Sequence, residues 1–191
     1  MISYLNGILA EKTPTYIVVD CGGVGYLVKI SLNTYSRIPA EGPLKIFTQL
    51  QVREDAHTLF GFYSLHEREM FNHLISVSGI GAATAMLMLS SMMPEEIASA
   101  IANGNVAAIQ QIKGIGAKTA QRVIIDLKDK VIKSDLTLEN VFRQNNTSQN
   151  DALTALLSLG FDRKRAEKAL SRIVQPDQPV EDMIKEALKV L

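Results

Sequence analysis

The sequence predicts a multidomain α+β chain, a small β-barrel followed by two separate helical parts. Three observations predict it. Short runs of β-branched and aromatic residues fill the first 63 positions, helical spacing takes over at Ser64, and a polar, aperiodic stretch then divides the helices.

The barrel is read from its strands. Ile2 to Ala10, Tyr16 to Asp20, Gly25 to Leu32, Leu44 to Val52 and Thr58 to Tyr63 are separated by turn signals at Gly22-Gly23, Pro39 to Pro43 and Arg53 to His57. Five strands in so short a segment suit a closed barrel, and the OB-fold is the common five-stranded solution.

The helical part opens at Ser64-Leu65-His66-Glu67. This fits a capping box, in which serine and glutamate each satisfy an orphan amide. Met70, Phe71, Leu74 and Ile75 then recur at helical spacing. Pro94-Glu95-Glu96 begins another helix, with proline at its first position and acids at its positive end, and Asn103-Gly104 stops it. From Ala117 to about Lys133, Ala120, Val123, Ile124, Leu127 and Val131 form one apolar stripe. The Met-rich run from Met86 to Met93 reads as adaptable helix packing.

Residues 140–150, polar and poor in apolar anchors, read as a flexible linker. Three short helices follow. The first ends at Gly160, the second at Pro176, and the third carries Ile184, Ala187, Leu188 and Leu191. The expected organisation is therefore a barrel at 1–63, an all-α domain at 64–139, a linker at 140–150 and a three-helix bundle at 151–191.

Composition limits what such a chain does. Of 191 residues, 47% are hydrophobic and 21% charged, which is globular composition. Lys and Arg number 20 and Asp and Glu 20, so this is no polycation. Any nucleic acid must be held by a local positive face, backbone amides and shape. Cys21 is the single cysteine, which rules out an internal disulfide. The start of the chain has no secretory pattern, and no apolar run approaches the roughly 20 residues that cross a bilayer. The expected location is cytoplasmic, with no membrane partner.

The informative feature is an internal repeat. Ser78-Gly79-Ile80-Gly81-Ala82-Ala83-Thr84-Ala85 matches Lys113-Gly114-Ile115-Gly116-Ala117-Lys118-Thr119-Ala120 except at Ser78/Lys113 and Ala83/Lys118. Each copy follows one helical segment and opens another, the pattern of a helix-hairpin-helix. Glycines allow a tight turn and close approach of a phosphate, the isoleucine plugs the angle between helices, and the amides of the next helix face an anion. Such contacts position DNA without reading bases. Lys118 and Arg122 share a helix face beside Thr119, and Lys113 adds charge before the turn. The first copy carries no such cations, so its grip rests on backbone amides.

Other readings of the glycines fit less well. A Rossmann fingerprint needs a third glycine and a preceding strand. A P-loop needs Gly-Lys-Thr in sequence, and Ala117 interrupts it. A helical repeat array has a similar period but not paired glycines in its turn. A plain helix-helix turn would explain one copy, and two near-identical copies argue against it.

Taken together, the barrel, the paired elbows, the polar stretch and the helical tail resemble the RuvA family, the Holliday-junction-recognition subunits of the bacterial branch-migration complex. The resemblance spans the chain and includes Gly22-Gly23-Val24-Gly25-Tyr26, Val52-Arg53-Glu54-Asp55-Ala56, Leu59-Phe60-Gly61-Phe62 and Leu159-Gly160-Phe161. It implies DNA binding by Gly79, Ile80, Gly81, Gly114, Ile115, Gly116, Lys118, Thr119 and Arg122. It also implies a homotetramer holding a four-way junction open for recombination and repair. Further partners would be the hexameric ATPase RuvB and the junction resolvase RuvC. Glu54 and Asp55 fall on the family's acidic pin near the tetramer centre, where carboxylates would repel crossing phosphates. Read without the resemblance, they are two solvated turn residues. Leu156, Leu159, Phe161 and Leu188 match the motor-binding apolar surface, although Leu156 and Leu188 suit a bundle core equally. Family members often carry a lysine after the first Gly-x-Gly, and Ala82-Ala83-Thr84 supplies none.

No catalytic chemistry is expected. His57, His66 and His73 are scattered away from metal-ligand spacing, Cys21 reads as a buried inert thiol, and the chain has no Walker motif. Neither a metal nor a cofactor is expected, and ATP hydrolysis falls to a partner. The rival from another class is a helix-hairpin-helix glycosylase or nuclease, for which Asp126 is the nearest acid. A third reading is an adaptor whose tail binds a protein partner.

Overall fold

Backbone pairing closes the first strands on themselves. In the computed structural model, which describes residues 1–141, 147–173 and 179–191, strands β1 (Tyr4–Lys12), β2 (Tyr16–Asp20), β3 (Gly25–Ile30), β4 (Gly42–Val52) and β5 (His57–Phe62) form a closed barrel in the order β1-β2-β3-β5-β4. Neighbours are antiparallel except β3 and β5, which run parallel with Val28 opposite Leu59. Alternation works as expected, because Leu5, Leu9, Ile17, Val19, Val28, Ile30, Leu44 and Ile46 all point into one core. β1 begins two residues later than expected and runs on to Lys12.

One element departs from the expected strand pattern. A short helix, α1 (Leu32–Arg37), lies between β3 and β4, where the sequence pattern has Leu32 ending a strand. Ser31 starts it: its hydroxyl accepts from the Thr34 amide at 3.0 Å, a side-chain cap that turns the chain out of the sheet.

The helical region runs α2 (Leu65–Ile75), α3 (Ala82–Ser91), α4 (Pro94–Ala102), α5 (Val106–Gln110) and α6 (Ala117–Val141). Phe71, Leu74, Met88, Leu89, Ile97, Ile101, Ile109 and Leu127 are wholly buried in one cluster, which Phe60 and Phe62 of the barrel's last strand join. The Phe71 ring lies 5.1 Å from that of Phe60 and 5.0 Å from that of Phe62, contacts each worth about 0.5–1.5 kcal/mol beyond area burial. Met88 sits fully buried within the cluster, with Met86 and Met92 packed at its edge.

The capping box at the start of α2 is half formed. Ser64 accepts from the Glu67 amide at 3.1 Å, but the Glu67 carboxylate does not return to Ser64. It turns instead toward Ser31 and Thr34, whose hydroxyls donate to it together with the Tyr63 amide.

The chain divides into two compact units, Met1–Ile132 and Lys133–Leu191. In the second, α7 (Thr147–Ser158), α8 (Arg163–Ile173) and α9 (Val180–Val190) pack around Ala152, Leu156, Ala166, Ala169, Leu170, Met183 and Ala187. Gly160 ends the first helix with φ +92°, a left-handed conformation that glycine adopts without strain. Of the segment read as a linker, Asn140 and Val141 belong to α6 and Thr147 to Asn150 belong to α7. Residues 142–146 lie outside the described residues, as does Pro176.

Candidate nucleic-acid interface

The two glycine elbows have the same local build. Gly79 and Gly114 sit at φ +95° and +88°, where a side chain would cost roughly 1–2 kcal/mol. The next amide closes each turn: Ile80 donates to the Val77 carbonyl at 3.0 Å, and Ile115 to the Ile112 carbonyl at 3.1 Å. Helical bonding resumes identically, with Ala85 donating to Gly81 and Ala120 to Gly116, both at 2.9 Å.

Ile80 and Ile115 are buried in the helical core, so they lock the angle of each elbow and offer no side-chain surface to a ligand. They fill the angle between the helices behind each turn.

Gly81 and Gly116 carry more weight. Neither has a left-handed φ, and a Cβ added to either would meet no atom within 4 Å. The fold therefore sets no steric demand for glycine at these two positions. What a bare backbone does provide is room for something outside the chain to reach the first turn of α3 and of α6. Gly81 supplies no side-chain cap, and the opening N–H groups of a helix have no intrahelical acceptor. Together with the positive end of the dipole, these amides suit a phosphate oxygen.

The second hairpin adds charge. Lys113, Lys118 and Arg122 are exposed around its elbow, and Thr119 is half-buried in the first turn. The corresponding positions of the first hairpin hold Ser78, Ala83 and Leu87. Arg122 has a second task that sequence spacing does not reveal. Its Nη1 donates to the Ser78 carbonyl of the first elbow at 3.2 Å, and Lys130 Nζ donates to Ser76 Oγ at 3.2 Å. α6 is thus fastened to the first turn, which brings both elbows into one neighbourhood. At this seam His73 is held below its usual protonation range, mainly by burial and then by the charge of Lys130.

Glu54 and Asp55 are exposed in the loop joining β4 to β5, closed by the Arg53 amide donating to the Ala56 carbonyl at 2.9 Å. No basic side chain pairs with either among the described residues.

In the tail, Leu156 is 0% exposed at the centre of the bundle. It packs in the bundle core, the alternative that the sequence leaves equally open for it. Leu159 and Leu188 are 61% and 43% exposed, and Phe161 is packed partly against the core. Cys21, expected to be buried, is half-buried, with its thiol 3.7 Å from the Asn6 carbonyl. Among the described residues no group of three or more His, Cys, Asp or Glu side chains could hold a metal, and no helix is long and apolar enough to cross a membrane. Asp126 is exposed on α6.

A closed barrel joined to two such elbows defines the class, a barrel and tandem helix-hairpin-helix protein that presents paired glycine turns at helix N-termini. Residues 1–61 match the RuvA N terminal domain, 71–129 the SAM-like helix-hairpin-helix tandem and 147–191 the RuvA C-terminal domain. Proteins of Flavobacterium psychrophilum, Christiangramia forsetii and Cytophaga hutchinsonii are 54%, 52% and 50% identical, over 100% of both chains in each case. Each bears the name Holliday junction branch migration complex subunit RuvA. The chain belongs to the RuvA family.

Proposed function

We propose that this chain binds four-way DNA junctions and holds them open for a branch-migration motor, without catalysing a reaction itself. The observation that carries the reading is the pair of elbows whose Gly81 and Gly116 leave backbone amides open with no demand from the fold. The name borne by its relatives supports the same reading.

In this account Gly79, Gly81, Gly114, Gly116, Lys118, Thr119 and Arg122 hold sugar-phosphate backbone, with Ile80 and Ile115 bracing them. The residues work through positioning and charge, so sequence readout is not expected. A homotetramer multiplies the grip and matches the symmetry of crossed arms. It also collects the Glu54 and Asp55 carboxylates near the crossover, where repulsion opposes collapse of the arms.

The work is divided among a barrel at 1–63, an elbow domain at 64–139, a linker within 140–150 and a docking bundle at 151–191. Leu159, Phe161 and Leu188 supply the apolar surface for RuvB, whose ATPase drives the motion, and RuvC resolves the product. The location is the cytoplasm.

The test is a titration of the full chain against a synthetic four-way junction and a linear duplex of equal length. Junction binding should be tighter and should weaken as salt rises; equal affinity for the two refutes the junction assignment. Magnesium-dependent cleavage of either DNA by the intact chain would establish the nuclease reading instead. Leu159→Glu together with Leu188→Glu should leave junction binding unchanged and abolish motor stimulation. Stimulation that survives both changes removes this surface from the docking site.

A further inference from the structure

The helix that interrupts the barrel touches both limbs of the first hairpin. Glu67, on α2, is 1% exposed, and among the described residues it is the one buried charged side chain. Its carboxylate accepts from Ser31 Oγ at 2.5 Å, from Thr34 Oγ1 at 2.7 Å and from the Tyr63 amide at 3.2 Å. The partners are themselves linked: Ser31 Oγ accepts from the Thr34 amide and Thr34 Oγ1 from the Tyr63 amide, at 3.0 and 3.1 Å.

The other limb is held as well. Asn33 Nδ2 donates to the carbonyls of Leu89 and Met92 at the end of α3, and the Leu32 amide donates to Ser90 Oγ at 3.1 Å. α1 therefore closes over the open end of the hairpin, opposite its elbow.

We propose that Glu67, with Asn33, is a positioning residue for junction selectivity: the α1 bracket aims the first elbow relative to the barrel. This rests on the function proposed above. A buried carboxylate is tolerated only when donors satisfy it, and here three do. Removing it leaves Ser31, Thr34 and the Tyr63 amide facing a void, so the bracket loosens while the aromatic and aliphatic packing persists.

The first elbow has reason to need such a bracket. With Ser78, Ala83 and Leu87 where the second hairpin has Lys113, Lys118 and Arg122, it supplies no cation of its own, and the guanidinium that reaches it, Arg122, comes from α6 and is hydrogen-bonded to the Ser78 carbonyl. Its contribution depends on aim. Junction preference arises when several elbows engage at once, and simultaneous engagement is lost when geometry slackens. Duplex binding through the charged second hairpin depends on aim far less.

The test uses the full chain carrying Glu67→Ala, Glu67→Gln or Asn33→Ala, with affinities for a four-way junction and an equal-length duplex measured at one salt concentration. For Glu67→Ala and Asn33→Ala the junction-over-duplex ratio should fall by about tenfold or more while duplex affinity barely moves. Glu67→Gln, which keeps an acceptor oxygen, should recover most of the ratio.

Folded variants with an unchanged ratio overturn the proposal, as does a parallel loss of junction and duplex binding. If Glu67→Ala does not fold, Asn33→Ala and Glu67→Gln decide the matter.

A second readout does not depend on DNA. With spin labels at Asp55→Cys and Ala83→Cys in a Cys21→Ser background, Glu67→Ala should broaden the distance distribution, and an unchanged distribution refutes the bracket. Equal affinity of the unsubstituted chain for junction and duplex is a failure of the functional reading, and the spin-label result then judges the bracket alone.

Discussion

The two hairpins share a backbone and differ in how they are supported. The first is held by the barrel at its open end, and its own residues Ser78, Ala83 and Leu87 supply no cation at the positions where the second hairpin has them. The second is surrounded by Lys113, Lys118 and Arg122, and its fastenings run to the first hairpin through Arg122 and Lys130. One elbow is aimed and the other is charged. A repeated motif thus supplies the same amides twice while its surroundings divide the labour between geometry and attraction.

The largest effect should come from filling the open backbone. The Cβ of Gly81→Val or Gly116→Val has no atom of the fold within 4 Å, so each should melt close to the unsubstituted chain and yet lose junction affinity by about tenfold or more. Gly81→Val should be the worse of the two, because the first hairpin's own residues offer amides and no cation. Retained affinity in either variant shows that its elbow does not meet DNA.

Charge comes next. Lys113→Ala with Lys118→Ala should flatten the dependence of log affinity on log salt, by about 0.9 for each phosphate no longer neutralised. An unchanged slope removes both lysines from the interface. The reverse change sharpens the comparison: Ala83 is exposed and stands where the second hairpin has Lys118. Ala83→Lys should tighten binding and steepen the slope by about the same increment. No gain would mean that the first elbow is too far from phosphate for a cation to matter.

The smallest effect concerns the seam between the hairpins. Burial and Lys130 make His73 harder to protonate in the folded chain than at its usual value of 6.5. The unfolded chain therefore binds this proton more readily, and stability should fall as the pH drops from 7 through that value. His73→Gln should remove that share of the acid sensitivity, as thermal melts at pH 7 and pH 5 would register.

Much of this architecture was legible in the sequence because its signals are local. Alternating residues such as Ile17, Val19, Val28 and Ile30 announce strands, and Gly79 and Gly114 announce turns. What stayed hidden depends on partners far along the chain. α1 is too short for periodicity to separate it from the strand before it. Glu67 looked like half of a capping box because its sequence neighbour Ser64 is visible and its true partners, Ser31 and Thr34, lie some thirty residues away.

Burial drew the remaining distinctions. An amphipathic pattern groups Leu156 with Leu159 as apolar, and only packing shows that the first fills the bundle core while the second faces outward. Likewise, the i, i+4 spacing places Lys118 and Arg122 on one face without revealing that Arg122 reaches the first elbow's carbonyl.

The most direct measurement is backbone amide NMR of the intact chain titrated with a synthetic four-way junction. Both first turns, Ala82-Ala83-Thr84 and Ala117-Lys118-Thr119, should shift and become protected from solvent exchange together. Amides that stay unperturbed in both turns at saturating DNA would contradict the account.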